Sequence, residues 1–225
     1  MQIDLVNRPS ATAAVVRLSR GERFVAEPDA MIAMSTRIAL HTDSRGGGML
    51  GGIKRMFSGE SFFLNTFEAL DDGQELVLAP PLPGDVECLP LQGGRLLVQQ
   101  SAWLGSGDGV QVSTTNQGLT VGLFGGQGLF WVQCQGQGDV LVSTFGAIAV
   151  VEVDGELIVD TSHVVAHEDT LSLAITRANP SLLGSFLGGE GLALRVTGRG
   201  RLWLQSHNPR DFGEALAAIL PPRQG

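Results

Sequence analysis

The sequence predicts an all-β fold, an antiparallel sandwich or barrel that is followed by one short helix. The first observation is strict alternation, as in 171–176, where Leu171, Leu173 and Ile175 alternate with Ser172, Ala174 and Thr176. A period of two is typical of half-buried antiparallel strands. The second observation is a glycine-containing turn signal about every 8 to 12 residues, a spacing typical of sandwiches and barrels. The third is that helical periodicity is confined to the tail, so we predict a single β domain over 1–225.

Self-similarity within the chain predicts how the strands are organised. One module is a glycine turn followed by apolar strand residues, found at FSGESFFL (57–64), FGGQGLFW (124–131) and LGGEGLAL (187–194). A second module, a turn followed by an apolar strand and an apolar return, recurs at 19–31, 92–103 and 154–164. Because both modules recur in the same order, we predict three internal repeats, approximately at 13–83, 86–146 and 148–206.

The glycine turn of the first module pairs each glycine with a residue that carries a carboxylate or an amide. Such side chains commonly accept backbone N–H bonds in turns. One of the three copies is an amide, and a catalytic carboxylate is not normally repeated in this way. We therefore predict a repeated structural turn and no catalytic residues, the turn being formed by Gly59, Glu60, Gly126, Gln127, Gly189 and Glu190.

The tail is the one segment with helical periodicity. In RDFGEALAAILPP (210–222), an apolar face is formed by Phe212, Ala215, Leu216 and Ile219. Pro221 cannot continue a helix. We predict a helix over 210–220 that covers an open end of the β structure.

Composition narrows the classes of partner. The net charge is −8 at pH 7, with 15 Lys and Arg against 23 Asp and Glu, and no dense basic run occurs. Such a chain repels phosphate backbones on average, so nucleic acid is disfavoured as a partner. The first residues lack a basic segment followed by an apolar run, and no apolar stretch is long enough to span a membrane. We expect a cytoplasmic protein.

The two cysteines, Cys88 and Cys134, each lie in or beside a β-like stretch. In a reducing cytoplasm, two buried free thiols are the expected state. A disulfide between them stays open, because the sequence does not give their geometry.

Three glycine-rich segments carry large apolar side chains, which is unusual for loops. Each segment precedes one copy of the glycine turn, and related repeats would place the three at one end of the molecule. A contiguous exposed apolar patch usually marks an interface. Two alternatives stay open, namely that each loop plugs its own sheets or that the loops insert into a lipid surface, for which Lys54 and Arg55 would suit anionic lipid. The predicted interface residues are Met49, Leu50, Ile53, Met56, Phe57, Leu119, Val121, Leu123, Phe124, Leu182, Leu183, Phe186 and Leu187.

Motifs for known chemistry are missing from the sequence. In the glycine run, Ile53 precedes Lys54 where a phosphate-binding loop needs glycine, and the glycines of 125–138 are not followed by a helix. His163 and His167 have helical spacing, but their segment reads as strand and turn, so we expect solvated or strand-edge histidines and no metal. We predict no catalytic residues, no cofactor and no enzyme activity.

The segments GESFFLNTFEALDDGQELVLAP (59–80), PGDVECLPLQGGRLLVQQSAWLG (83–105) and GRGRLWLQS (198–206), the last with its following helix, resemble a known family. It is the mitochondrial biogenesis family, named for altered inheritance of mitochondria, with its bacterial relatives. The resemblance implies a shortened double-stranded β-helix like that of the tryptophan RNA-binding attenuation protein, and it implies no enzyme activity. The mitochondrial members are associated with inner-membrane organisation. It supplies no functional residues for this chain.

These observations together lead to a functional expectation. We expect a non-enzymatic structural or interaction protein that self-associates as a homo-oligomer through the apolar loops. A protein partner and peripheral contact with a membrane are further alternatives. The alternative function is an RNA- or small-ligand-binding module, and a metal-containing barrel enzyme ranks third.

Overall fold

Antiparallel β-strands dominate the chain, as the alternating pattern predicts. A computed structural model of the protein describes residues 1–44, 63–115, 130–176 and 193–221. The first strands are β1 (Gln2–Val6), β2 (Ala13–Leu18), β3 (Arg23–Ala26), β4 (Met31–Met34), β5 (Ile38–Ser44), β6 (Phe63–Ala69) and β7 (Gln74–Leu78). The others are β8 (Val86–Gln99), β9 (Trp103–Gly107), β10 (Val110–Thr115), β11 (Trp131–Ser143), β12 (Ile148–Asp160), β13 (Val164–Glu168), β14 (Leu171–Thr176) and β15 (Ala193–Gln205). The all-β prediction is confirmed.

The described strands form two open sheets. The smaller has the order β1-β2-β7-β4. The larger has the order β12-β15-β13-β8-β11-β9-β3-β6-β5, with β10 added to β11 and β14 added to β15. Neither order returns to its first strand, so the barrel alternative of the prediction is not realised among these strands. The double-stranded β-helix type stays a prediction.

Two pairs of long antiparallel strands make up much of the larger sheet. In the first, β8 lies beside β11 from Val86, opposite Ser143, to Gln99, opposite Trp131. In the second, β12 lies beside β15 from Ile148 to Asp160. Between the two long strands of each pair, the chain has the same arrangement: a short 3₁₀ helix, then two short strands that both pair with the second long strand. The three repeats over 13–83, 86–146 and 148–206 stay a prediction.

Close packing where the first long pair begins requires glycine at position 84. Gly84 forms an isolated bridge with Gly146. A Cβ atom on Gly84 would lie 1.9 Å from the backbone oxygen of Thr144, which no side chain can occupy. Glycine therefore permits the contact that holds the beginning of β8 against the end of β11.

The core consists of apolar side chains from the inner faces of the strands. Its largest fully buried members are Trp103, Trp131, Phe24 and Phe67. Burial of an aromatic or branched apolar side chain contributes about 1.5 to 3 kcal/mol. Three clusters make up this core in the described chain: one around β2, β3 and β7, one around β8 to β11, and one around β12 to β15. The alternation read from the sequence thus corresponds to the buried face of each strand.

A buried carboxylate joins the beginning of the chain to β8. Asp85 is only 3% exposed. Its Oδ2 accepts a bond of 2.7 Å from Nη2 of Arg8, and its Oδ1 accepts bonds from the Thr12 hydroxyl (2.7 Å) and the Val86 N–H (2.9 Å). Burial alone would raise the pKa of Asp85, but these hydrogen bonds together hold that pKa below its usual value. The carboxylate therefore stays charged, and its ion pair stabilises the fold.

The predicted tail helix is present as α1 (Pro209–Ile219). The Asn208 side chain accepts a bond from the Arg210 N–H at 2.9 Å and so caps the first turn. Phe212 packs edge-on against Phe145 with ring centroids 5.1 Å apart. Yet none of the helix residues is buried. The expected apolar face exists, and Phe212 brings it against the connection between β11 and β12.

We predict that Asp85→Asn destabilises the protein by about 2 kcal/mol, because the buried site would lose its ion pair while Arg8 keeps its charge. Urea unfolding at neutral pH, followed by circular dichroism, measures the difference. Asp154→Asn is the matched control, since that carboxylate is exposed and its nearest oxygen lies 3.8 Å from Arg199. Equal stability of the two variants would show that the Asp85 contacts do not stabilise the fold.

Candidate functional site

The two thiols are free and poorly reactive. Cys134 is buried and Cys88 is half-buried, and no disulfide joins them. Burial raises the pKa of each thiol to about 12, and nearby Asp139 adds to the effect at Cys88. A thiol that stays protonated is a poor nucleophile and a poor metal ligand. The expectation of free thiols is confirmed, although Cys88 is less buried than expected.

The histidine expected at a strand edge is instead in the core. His167 is only 2% exposed, and its ring lies edge-on to Trp131 with centroids 4.9 Å apart. The sequence could not show this burial, because β13 is covered on both sides by β8 and β15. Burial lowers the pKa of His167, so it stays neutral. His163 lies apart, with Nδ1 2.8 Å from the Gln205 oxygen, and no cluster of three or more metal-binding side chains occurs in the described part of the chain.

A cleft of about 530 Å³ lies between β8, the β13–β14 turn and β15. One wall is Leu89–Gln92 of β8 together with Arg95, and the other is Glu168–Thr170. Arg201 and Trp203 of β15 complete the lining. The cleft therefore joins segments that are far apart in the sequence, and its polar groups come from all three elements.

Every charged side chain of the cleft is paired with another. Arg95 Nε donates to Asp169 Oδ2 at 2.9 Å, and Arg201 Nε donates to Glu168 Oε1 at 2.8 Å. Glu168 also accepts a bond of 2.9 Å from the backbone N–H of Arg201. The Arg201 guanidinium lies over the Trp203 ring, 5.1 Å from its centroid. These contacts orient the polar groups and leave the cleft with no excess charge.

The position equivalent to the cleft beside the other long strand pair is filled by the N-terminal residue, Met1. The turn between β9 and β10 corresponds to the turn between β13 and β14 in the pairing order. There the Met1 side chain lies so close to Gly107 that a Cβ on this glycine would approach Met1 Cε to 2.8 Å. Beside it, β1 adds to the edge of β2. No described strand is added in the same way to the first half of β8 beside the cleft.

Large apolar side chains are exposed at several positions, among them Leu40 on β5, Ile175 on β14 and the three groups that follow. The first is β4, with Met31, Ile32 and Met34, and we call this strand the β4 edge because it pairs only with β7 among the described strands. The second is the β12 edge, residues 157–159 of the strand that ends the larger sheet, with Ile158 exposed. The third is the α1 face, formed by Phe212, Leu216, Ile219 and Leu220. The sequence reasoning missed the two edges, since nothing local shows that a strand lacks a neighbour.

The site residues predicted from the sequence lie outside the described part of the chain. This holds for the apolar interface residues Met49, Leu50, Ile53, Met56, Phe57, Leu119, Val121, Leu123, Phe124, Leu182, Leu183, Phe186 and Leu187. It also holds for the turn residues Gly59, Glu60, Gly126, Gln127, Gly189 and Glu190. What is described are the strand pairs that these segments connect, β5–β6, β10–β11 and β14–β15. Both predictions therefore stay predictions.

A carboxyl group with an unusual pKa lies between β3 and the β4 edge. Glu27 follows β3, and its backbone N–H donates to the Leu104 oxygen at 3.1 Å. Burial, with a smaller contribution from the charge of Asp29, raises the pKa of Glu27 to about 7. The charged form is thus disfavoured in the folded protein.

Comparison with known proteins identifies relatives over nearly the whole chain. The family described as mitochondrial biogenesis AIM24 matches residues 3–207. A protein of Streptococcus pyogenes serotype M6, described as uncharacterised, is 32% identical over 215 residues, which cover 92% of this chain and 86% of that protein. A crystal structure of a further Streptococcus pyogenes protein superimposes with a TM-score of 0.81 at 27% identity, covering 97% of this chain and 99% of that one.

We predict that Glu27→Gln stabilises the protein at pH 8 but not at pH 4. The folded state binds the Glu27 proton more tightly than the unfolded state, so this group's stabilisation is complete below the ordinary pKa of 4.5 and is lost as the pH rises towards 7. Glutamine removes that loss, and we expect a melting temperature higher by about 3 °C at pH 8. Differential scanning calorimetry at both pH values measures it, with the exposed Glu152→Gln as the control. A gain of the same size at pH 4 would contradict the assignment.

Proposed function

The chain belongs to the mitochondrial biogenesis AIM24 family, and from that premise we propose a non-enzymatic interaction protein that associates with further copies of itself. The observation that carries the proposal is the exposure of apolar strands where the sheets end. Ile32 on the β4 edge is 60% exposed and Ile158 on the β12 edge is 46% exposed. Natural sheets often carry lysine or proline on their edge strands, whereas the four residues of β4 are Met-Ile-Ala-Met. Unprotected apolar edges are typical of strands that pair with another chain.

The non-enzymatic part of the proposal is supported by the state of the reactive groups. In the described ranges both thiols are protonated and His167 is neutral in the core. The Asp85 carboxylate forms an ion pair with Arg8. The side chains that catalysis most often uses thus have structural contacts here.

The glycine-rich loops extend the same proposal. Their apolar residues, from Met49 to Phe57, from Leu119 to Phe124 and from Leu182 to Leu187, would supply a second surface for self-association. Each loop joins two paired strands that occupy the same place in the pairing order. Contact of these loops with a membrane surface stays an alternative. No helix in the described residues has the length and apolar character needed to cross a membrane. A cytoplasmic location is part of the proposal.

A second candidate function is the binding of a small ligand in the cleft. The observation that favours it is the indole N–H of Trp203, a buried donor beside the cleft with no hydrogen-bond partner in the described chain. An unpaired buried donor costs about 1 to 3 kcal/mol, which a ligand with an acceptor could recover. RNA is a poorer candidate, because nine arginines in the described ranges already form ion pairs with carboxylates. Arginines held in this way are less available to phosphates.

We predict that the wild-type protein has a native mass above that of one chain in multi-angle light scattering, and that Ile32→Lys lowers it. A lysine on an edge strand opposes the addition of another strand, and the exposed position of Ile32 leaves folding intact. Ile175→Lys is the control, since Ile175 is an exposed isoleucine on β14, outside the β4 edge. A wild type that remains a single chain up to high concentration would overturn the proposed self-association.

We predict a separate effect for the loops. The triple variant Leu50→Ser, Phe124→Ser and Leu187→Ser removes one large apolar side chain from each glycine-rich segment, and we expect a folded protein of reduced native mass. Circular dichroism establishes folding before light scattering. Loss of folding would instead identify the loops as plugs, and a folded variant of unchanged mass would direct the search to lipid vesicles.

A further inference from the structure

The three short strands β4, β9 and β13 share one local geometry. In each strand the pairing with its neighbour (β7, β11 or β15) shifts by one residue at the same place: between Met31 and Ala33 in β4, between Trp103 and Gly105 in β9, and between Val164 and Ala166 in β13. The residues at the three bulges are Ile32, Leu104 and Val165. Each of the three strands therefore has a β-bulge at the same position on the edge that faces β7, β11 or β15.

Two of these strands are covered on their other side by an earlier part of the chain. On β9, Gly105 lies opposite Ala26 of β3, and Ser106 lies opposite Val25. On β13, Ala166 lies opposite Val98 of β8, and His167 lies opposite Leu97. Both contacts are antiparallel and have the same register relative to the bulge. The fold therefore makes one kind of strand contact twice.

Burial follows from this contact. The bulge residues Leu104 and Val165 are each 0% exposed, whereas Ile32 of the β4 edge is 60% exposed. In the described strands, β9 and β13 have the covering strand and their bulge residues belong to the apolar core, whereas β4 pairs only with β7. An apolar bulge residue that is buried in two strands and exposed in the third marks a surface that lacks its partner.

The complementary surface is also present without a partner. Val25 in β3, Leu97 in β8 and Ile158 in β12 precede β4, β9 and β13 by the same number of residues. Val25 and Leu97 receive β9 and β13 and are each 1% exposed, while Ile158 is 46% exposed. The β12 edge is thus the receiving half of the contact, and the β4 edge is the added half.

We propose that the β4 edge of one copy pairs with the β12 edge of a second copy, in the register that the two internal contacts define. Ala33 then lies opposite Val159, and Met34 lies opposite Ile158 of the neighbouring copy. This inference rests on the proposed self-association and names its surface. Since the two edges differ, the contact is head to tail: each copy uses both edges, and the assembly either closes into a ring or extends as a filament.

Cross-linking of co-expressed variants tests the register. Met34→Cys and Ile158→Cys, each with a different affinity tag, carry one added thiol apiece, and a short thiol-specific cross-linker is applied at pH 8. The native thiols give little background, because burial raises the pKa of each to about 12. We expect cross-linked pairs with both tags in several-fold excess over co-expressed Met34→Cys and Ile175→Cys. All variants keep a native far-ultraviolet spectrum, since the altered side chains are exposed.

The outcomes distinguish the proposed contact between the β4 edge and the β12 edge from self-association in general. Cross-linking of Met34→Cys or Ile158→Cys to itself would overturn the head-to-tail contact in favour of a symmetric one. A further variant that carries both Met34→Cys and Ile158→Cys tests closure within one chain, and cross-linking of this variant only within single chains would overturn the proposal. A native oligomer without mixed cross-links would refute this surface and leave self-association standing. A native mass of one chain would refute both.

Discussion

The structure depends on one constraint, which is that the backbone groups along both edges of the long central strands need partners. The long strand β15 satisfies the constraint with β12 on one side and with β13 and β14 on the other, and β11 is covered in the same way by β8 and by β9 with β10. Covering the short strands in turn requires an earlier segment of the chain. That need is met for β9 and β13 by β3 and β8, which ties successive parts of the chain into one sheet. The two ends of this series are where the need is unmet, and there the apolar side chains face water.

The same arrangement explains why titratable groups in the described core have structural contacts. Side chains on strands that are paired along both edges are buried in the core. Burial disfavours the charged form of each group, so His167 is neutral and the thiol of Cys134 stays protonated. A charge is tolerated only where donors surround it, as Arg8 and Thr12 surround Asp85. At the surface, arginines and carboxylates form pairs across neighbouring strands, as Arg195 does with Glu156, and so the negative net charge is spread over the sheets.

The cleft and the two edges come from one structural feature, the contact between a short strand and an earlier segment of the chain, as between β13 and β8. Where such a contact is formed within the chain, its side chains either fill the space, as Met1 does beside Gly107, or leave a cleft, as they do beside Arg201 and Trp203. Where such a contact lacks one half, an apolar edge is left. The proposed ligand binding and the proposed self-association would both follow from this architecture, and the exposed edges give the stronger support because they occur as a matching pair.

Local sequence determined the strands, the turns and the tail helix of this protein, because alternation, glycine turns and capping by Asn208 act over a few residues. Composition favoured free thiols, but only the structure decided that no disulfide joins Cys88 and Cys134. Only the tertiary structure decided which strands lie side by side. The sequence of β4 reads as an ordinary apolar strand, like that of β9, yet Ile32 is exposed and Leu104 is buried. The reason is physical: burial of a strand residue depends on a neighbour that arrives from a distant part of the chain, and no pattern within the strand records whether that neighbour exists.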